Sequence, residues 1–110
     1  MGDRGNIIVK SKDEQVCLYS HWNGSKLPKI LQGAMNRGKD WLNDFQYFTR
    51  IVFCEMVKKN PDSLTGYGIT QVVHDGGNKV VVLDLNRETV TLNNKSAQSY
   101  DDFLDSKPTW

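Results

Sequence analysis

The sequence predicts an α+β domain: one mainly antiparallel sheet of about five strands, with two helices packed on one of its faces. Three features lead to that class. The stretch 43–60 spaces its apolar residues in three- and four-residue steps, at Phe45, Phe48, Val52 and Met56, with Ile51 and Phe53 widening the stripe. A second one-sided stripe, Leu27, Ile30, Leu31, Ala34 and Met35, precedes it. Beyond Pro61-Asp62-Ser63 the period changes to strand-like runs separated by turn residues. The element order is β-β-α-α-β-β-β-α, and 110 residues fit one domain with one hydrophobic core.

Residues 6–10 and 15–22 are strand-like, and the polar Ser11-Lys12-Asp13-Glu14 between them predicts a hairpin. In the second run Val16, Leu18 and Ser20 point one way and Cys17, Tyr19 and His21 the other, so both faces carry bulk to be covered. Asn23-Gly24-Ser25 breaks the strand. The first helix spans about 27–37; Pro28 is tolerated in its first turn, and Gly38 is expected to close it in a left-handed conformation. The short link 39–42 makes the two helices neighbours, with Trp41 expected to plug the gap between them. Asn43 and Gln46 form a capping-box pattern for the second helix, Lys58 and Lys59 suit its negative end, and Asn60-Pro61 stops it.

Three further strands are predicted at 66–75, 79–86 and 89–94, joined by hairpin turns at Gly76-Gly77-Asn78 and Arg87-Glu88. Val80-Val81-Val82-Leu83 is apolar on both parities, the mark of a central strand, whereas Thr89-Val90-Thr91-Leu92 alternates as a half-exposed one does. A short helix capped by Ser99 follows, with Asp102 three residues on. With helices on one face only, something must cover the other, and self-association is the economical solution.

A formal charge of +1 leaves no global field to draw the chain onto nucleic acid or an anionic membrane, and direct nucleic-acid binding is not expected. No apolar run has the roughly 20 residues of a membrane helix. The start Met-Gly-Asp-Arg-Gly lacks a signal-peptide core, so a cytoplasmic protein is expected. Cys17 and Cys54 sit among apolar residues and read as buried, reduced thiols.

Tyr19-Ser20-His21-Trp22-Asn23-Gly24 ends a strand just before a helix, where ligand-contacting residues collect. Tyr19, His21 and Trp22 offer stacking surface and a titratable nitrogen; the competing reading makes Tyr19 and Trp22 aromatics that close the helix entry. Tyr67 lies between two glycines in Thr65-Gly66-Tyr67-Gly68-Ile69, which permits unusual backbone angles or close approach, although no phosphate-loop pattern is present. Arg50, mid-helix, would need Asp84, Glu55 or an anionic ligand if it faced the sheet; otherwise it belongs to a solvated face. Two histidines, His21 and His74, and two cysteines match no zinc spacing, and no nucleophile elbow occurs. A non-catalytic protein without a cofactor is therefore expected.

Several segments in their order, Asp3-Arg4-Gly5-Asn6, Leu18-Tyr19-Ser20-His21-Trp22, Tyr47-Phe48-Thr49-Arg50-Ile51-Val52-Phe53, Thr65-Gly66-Tyr67-Gly68-Ile69, Val81-Val82-Leu83-Asp84 and Ser99-Tyr100-Asp101-Asp102-Phe103, resemble a family of small phage and prophage proteins. The resemblance brings no catalytic motif and transfers no active-site residue. It implies an accessory protein acting in a host cytoplasm, of the kind that counters host defence by sequestering a nucleotide signal or by binding a defence protein.

Three readings compete on these residues. One is a module that captures a small anionic, nucleotide-like ligand with Tyr19, His21, Trp22, Arg50 and Tyr67. Another is a protein that occludes a host protein through a sheet edge or apolar patch. The third is a small enzyme using His21.

Overall fold

The computed structural model describes residues 2–73, 79–93 and 95–110. Among these residues six strands form one mixed sheet, accompanied by three α-helices. The strands are β1 (Gly5–Ser11), β2 (Glu14–Ser20), β3 (Tyr67–Thr70), β4 (Val80–Asp84), β5 (Thr89–Leu92) and β6 (Gln98–Ser99). The helices are α1 (Leu27–Arg37), α2 (Phe45–Val57) and α3 (Tyr100–Asp105). Short 3-10 turns at Gly24–Lys26 and Lys39–Trp41 stand ahead of α1 and α2.

The class is α+β, as the periodicity implies. Four of the five strand pairings are antiparallel, but β1 and β4 run parallel, with Ile7 opposite Val81 and Val9 opposite Leu83. The expected hairpin between strands 66–75 and 79–86 is not formed. Its turn, Gly76-Gly77-Asn78, lies outside the described residues, and the strands on either side of it pair elsewhere: β3 with β2, and β4 with β1. The sheet order is β3-β2-β1-β4-β5-β6. Burial explains the choice. Val81, Leu83 and Asp84 of β4 are buried and need an interior position, which the free side of β1 supplies. The short β3, with Ile69 exposed, tolerates the edge.

All three helices place side chains in one core cluster: Leu31 from α1, Phe48 and Val52 from α2, and Phe103 from α3 meet Ile7, Val9, Leu18, Val81 and Val90 of the sheet. Strand alternation then assigns Asn6, Ile8, Cys17, Tyr19 and Val82 to the opposite, helix-free face, where Ile8 and Val82 are half-buried. Helix α1 matches its predicted span. Gly38, however, has φ −99°, so it is no left-handed cap; its missing side chain admits Ile51 of α2, whose Cδ1 would stand 3.0 Å from an added Cβ. Helix α2 is capped one residue later than expected, by Asp44, whose carboxylate accepts from the Tyr47 N–H at 2.9 Å. An anionic cap also suits the positive end of the helix. Trp41 does not plug the gap between the helices: it is 47% exposed and meets Tyr47 edge-on at a ring separation of 5.0 Å. Ser99 caps α3 as anticipated, accepting from the Asp102 N–H at 3.1 Å.

The two ends of the chain are tied to the loop before α1. Trp110 Nε1 donates to the Gly24 carbonyl at 3.0 Å. Asp3 accepts from Lys79 Nζ at 2.8 Å and from the Ser25 N–H at 2.9 Å and Ser25 Oγ. The Lys79 hydrogen bond, then those of Ser25, hold the Asp3 carboxyl down at about 2. A folded-state pKa below the unfolded one adds stability at pH values above the unfolded pKa and loses it as pH falls through the folded one. Asp3→Asn is thus expected to cost about 1 kcal/mol at pH 7, discounted for partial exposure, and only a small part of that at pH 2, where the folded-state carboxyl is itself half protonated. Urea melts of both proteins between pH 2 and 7 check this; parallel curves across that window would refute the Asp3 clamp.

Candidate functional site

The end of β2 builds the aromatic corner. Tyr19 is the last residue of that strand on the helix-free face, and its hydroxyl lies 3.0 Å from His21 Nδ1. The His21 N–H donates to the Gly66 carbonyl at 2.8 Å, which continues the β2–β3 ladder by one step. The chain then turns: Ser20 Oγ, buried, accepts from the Asn23 N–H at 3.1 Å. Trp22 is carried over Gly66, where the backbone stands at φ +93° and an added Cβ would overlap indole Cζ3. Four rings result in unbroken contact. Tyr19 and His21 are 6.4 Å apart by centroid, His21 and Trp22 6.2 Å, and Trp22 and Tyr67 5.6 Å, the last pair edge-on at 90°.

Tyr67 pairs with Ser20 and so points to the helix side of the sheet, whereas Tyr19 points to the other. The array therefore wraps the end of β2 from one face to the other. Trp22 is 44% exposed, so the corner is not sealed. His21 is more enclosed: Tyr19 holds Nδ1, and the N-terminal segment lies against the rest of the ring, with an added Cβ on Gly2 falling 2.5 Å from Nε2.

Arg50 does not join this group. It is exposed on the outer side of α2, opposite the buried Phe48 and Val52, and its guanidinium contacts Cys54 Sγ one turn on at 3.8 Å. Neither carboxylate considered for it is its partner: Glu55 binds Arg37 and Lys58, and Asp84 accepts from the N–H groups of Asn86 and Arg87. Cys54 shares that outer side and is exposed, contrary to the expected burial, because it sits one turn from Arg50 rather than on the Phe48 stripe. Cys17 is buried, and burial raises its thiol pKa.

Asn23 connects the corner to a second feature. Its Nδ2 donates to the Met56 carbonyl at 3.3 Å and to the Tyr67 hydroxyl at 3.4 Å. The same residue lines a groove of about 590 Å³ between α1, the C-terminal end of α2 and the tail at Pro108. Lys26 and Lys29 border it from the α1 side, Lys58 and Lys59 from the α2 side, and Ile30 and Met56 add apolar surface. Its single carboxylate, Glu55, is half-buried; burial works against ionisation, but hydrogen bonds from Arg37 and Lys58 outweigh it and lower its pKa. Glu55 is therefore charged and already paired at neutral pH.

The sequence reading missed this groove. Lys58-Lys59 read as cations at a helix end, and Lys26 and Lys29 drew no reading at all. One local sign existed: Lys29, Gly33 and Asn36 follow a helical stripe. What unites both lysine pairs is the packing of α1 on α2, which no local pattern carries. No family model, curated protein or solved structure matches this chain.

Proposed function

We propose that this chain is a non-catalytic binding module of the phage-accessory type that captures a small anionic, nucleotide-like ligand at the aromatic corner, and so counters a nucleotide-based host defence. The observation that carries the reading is the preformed ring array of Tyr19, His21, Trp22 and Tyr67 with Trp22 left partly open. A planar base stacks on such a surface at little ordering cost, because the rings already hold one another. Arg50 drops out of the binding set on its position, and charge complementarity has to come from the lysines beyond Asn23. His21 is a positioning group for the rings in this reading, not a base.

A thermal-shift panel of cyclic di- and trinucleotides, ADP-ribose and ATP tests it. A ligand at about a hundredfold its Kd adds about 2.7 kcal/mol to stability, a rise on the order of 10 °C for a domain of this size. Trp22→Ala is expected to weaken binding about tenfold or more, the value of one base-stacking contact. If no compound in the panel moves the midpoint, ligand capture is wrong. The interaction-protein reading has its own support in edge strand β3, where Ile69 is 62% exposed beside exposed Val72. A host protein captured by the wild type and lost on Ile69→Lys would favour it instead.

A further inference from the structure

We infer that the groove between α1 and the end of α2 is an oligophosphate site: it takes the di- or triphosphate chain of a small ligand. The inference extends the ligand reading above and rests on it for the base, but not for the phosphates.

The charge distribution is the first ground. The chain as a whole carries a formal +1. The groove gathers Lys26, Lys29, Lys58 and Lys59 around a single carboxylate. That carboxylate is taken by Arg37 at 2.5 Å and Lys58 at 3.4 Å. Among the described residues no ion pair holds Lys26, Lys29 or Lys59, so three ammonium groups border one concavity uncompensated. Like charges held together repel one another, and an anion with several oxygens relieves that repulsion at several lysines together.

The remaining lining fits the same ligand. Asn36 and Asn60 supply amide groups able to donate hydrogen bonds, the Asn23 amide being spent on Met56 and Tyr67, whereas Glu55 is the one anionic acceptor among the lining residues. The Gln32 Nε2 is already committed, to the Phe103 and Ser106 carbonyls, and fixes the tail that forms one wall. A volume of about 590 Å³ falls within the range of small-molecule sites. A concavity of that size beside a near-neutral surface suits a short phosphate chain rather than a long nucleic-acid backbone, which wants a continuous basic track. Asn23 stands both in the groove and against Tyr67, whose ring meets Trp22, so phosphates on the lysines and a base on Trp22 belong to neighbouring halves of one ligand.

Isothermal titration with inorganic tripolyphosphate tests the groove without a base. The wild type is expected to bind it, the K29E/K59E variant at least tenfold more weakly, and binding should weaken as salt rises from 50 to 300 mM. K29Q/K59Q, with charge removed but not reversed, should fall between the two; circular dichroism confirms that each variant is folded. Trp22→Ala should leave tripolyphosphate affinity unchanged. Tripolyphosphate that does not bind, or binds K29E/K59E as tightly as wild type, overturns the assignment even if a nucleotide still shifts the midpoint through the corner. Conversely, tripolyphosphate binding with no gain from a nucleoside triphosphate keeps the groove and refutes the base-capture reading. Single-stranded RNA that outcompetes tripolyphosphate at equal phosphate concentration would overturn the small-ligand assignment.

Discussion

Phe48→Ala is expected to remove about 3–5 kcal/mol of stability, the usual cost of emptying a phenylalanine site in a packed core. Phe48 is fully buried and belongs to the cluster that joins α2 to Ile7, Leu18 and Val81 of the sheet. Its removal takes apolar area out of contact on both sides at once, because helix and sheet share that cluster. Small domains hold only about 5–15 kcal/mol in total, so the variant should lose a substantial share of its stability margin. Urea denaturation checks the figure: the midpoint should drop sharply while the slope stays constant. Tyr47→Ala provides the comparison one residue away. Tyr47 is exposed and touches Trp41 edge-on, so its loss should cost under about 1 kcal/mol. Equal losses at the two positions would mean that α2 does not bury the face its periodicity predicts.

That periodicity is also where the sequence is most legible. The α1 stripe is visible because side chains three and four apart must share a face whatever surrounds them, and the helix has the span so predicted. The start of α2 shifts by one residue because Asn43 and Asp44 both satisfy the capping rule, and only the Asp44 carboxylate reaches the Tyr47 N–H. Strand pairing is a different kind of information. The Gly-Gly-Asn turn signal is local, whereas the parallel match of β1 with β4 joins residues about seventy positions apart through a shared demand for two-sided burial. Val80-Val81-Val82-Leu83 announces that it is central but not which strand lies beside it.

The candidate site divides along the same line. Tyr19, His21 and Trp22 are close in sequence at a strand end, so their grouping needs no tertiary information. Tyr67 joins them only through the β2–β3 ladder. Arg50 drew notice for its charge amid apolar neighbours, yet its helical phase is that of Cys54, on the exposed side. The lysine groove escaped notice for the converse reason. Its lysines belong to two separate places in the chain, Lys26 and Lys29 at the start of α1 and Lys58 and Lys59 just past the end of α2, and each pair taken alone is an ordinary solvated face.

Gly66→Ala is expected to cost about 2–4 kcal/mol and to disassemble the aromatic corner in the same step. Two independent effects add. Gly66 stands at φ +93°, a conformation that an L side chain enters at a cost of about 1–2 kcal/mol. A Cβ there would also overlap Cζ3 of Trp22 and come within 2.5 Å of its Cη2, so the indole must leave its seat. It has somewhere to go, being partly exposed, and relieves the overlap by swinging away from Tyr67 at the expense of their edge-on contact. Tryptophan fluorescence should shift accordingly, and nucleotide affinity should fall at least as far as in Trp22→Ala, while tripolyphosphate binding in the groove persists. Gly68→Ala, two residues on and inside β3, is the control: an added Cβ there meets only Tyr19 Cβ at 3.8 Å and Cδ2 at 3.9 Å, and a compatible glycine replaced by alanine is neutral or slightly stabilising. If Gly66→Ala proved as mild as Gly68→Ala, Trp22 would not be seated by the backbone at Gly66, and the corner would lose the rigidity on which its stacking role depends.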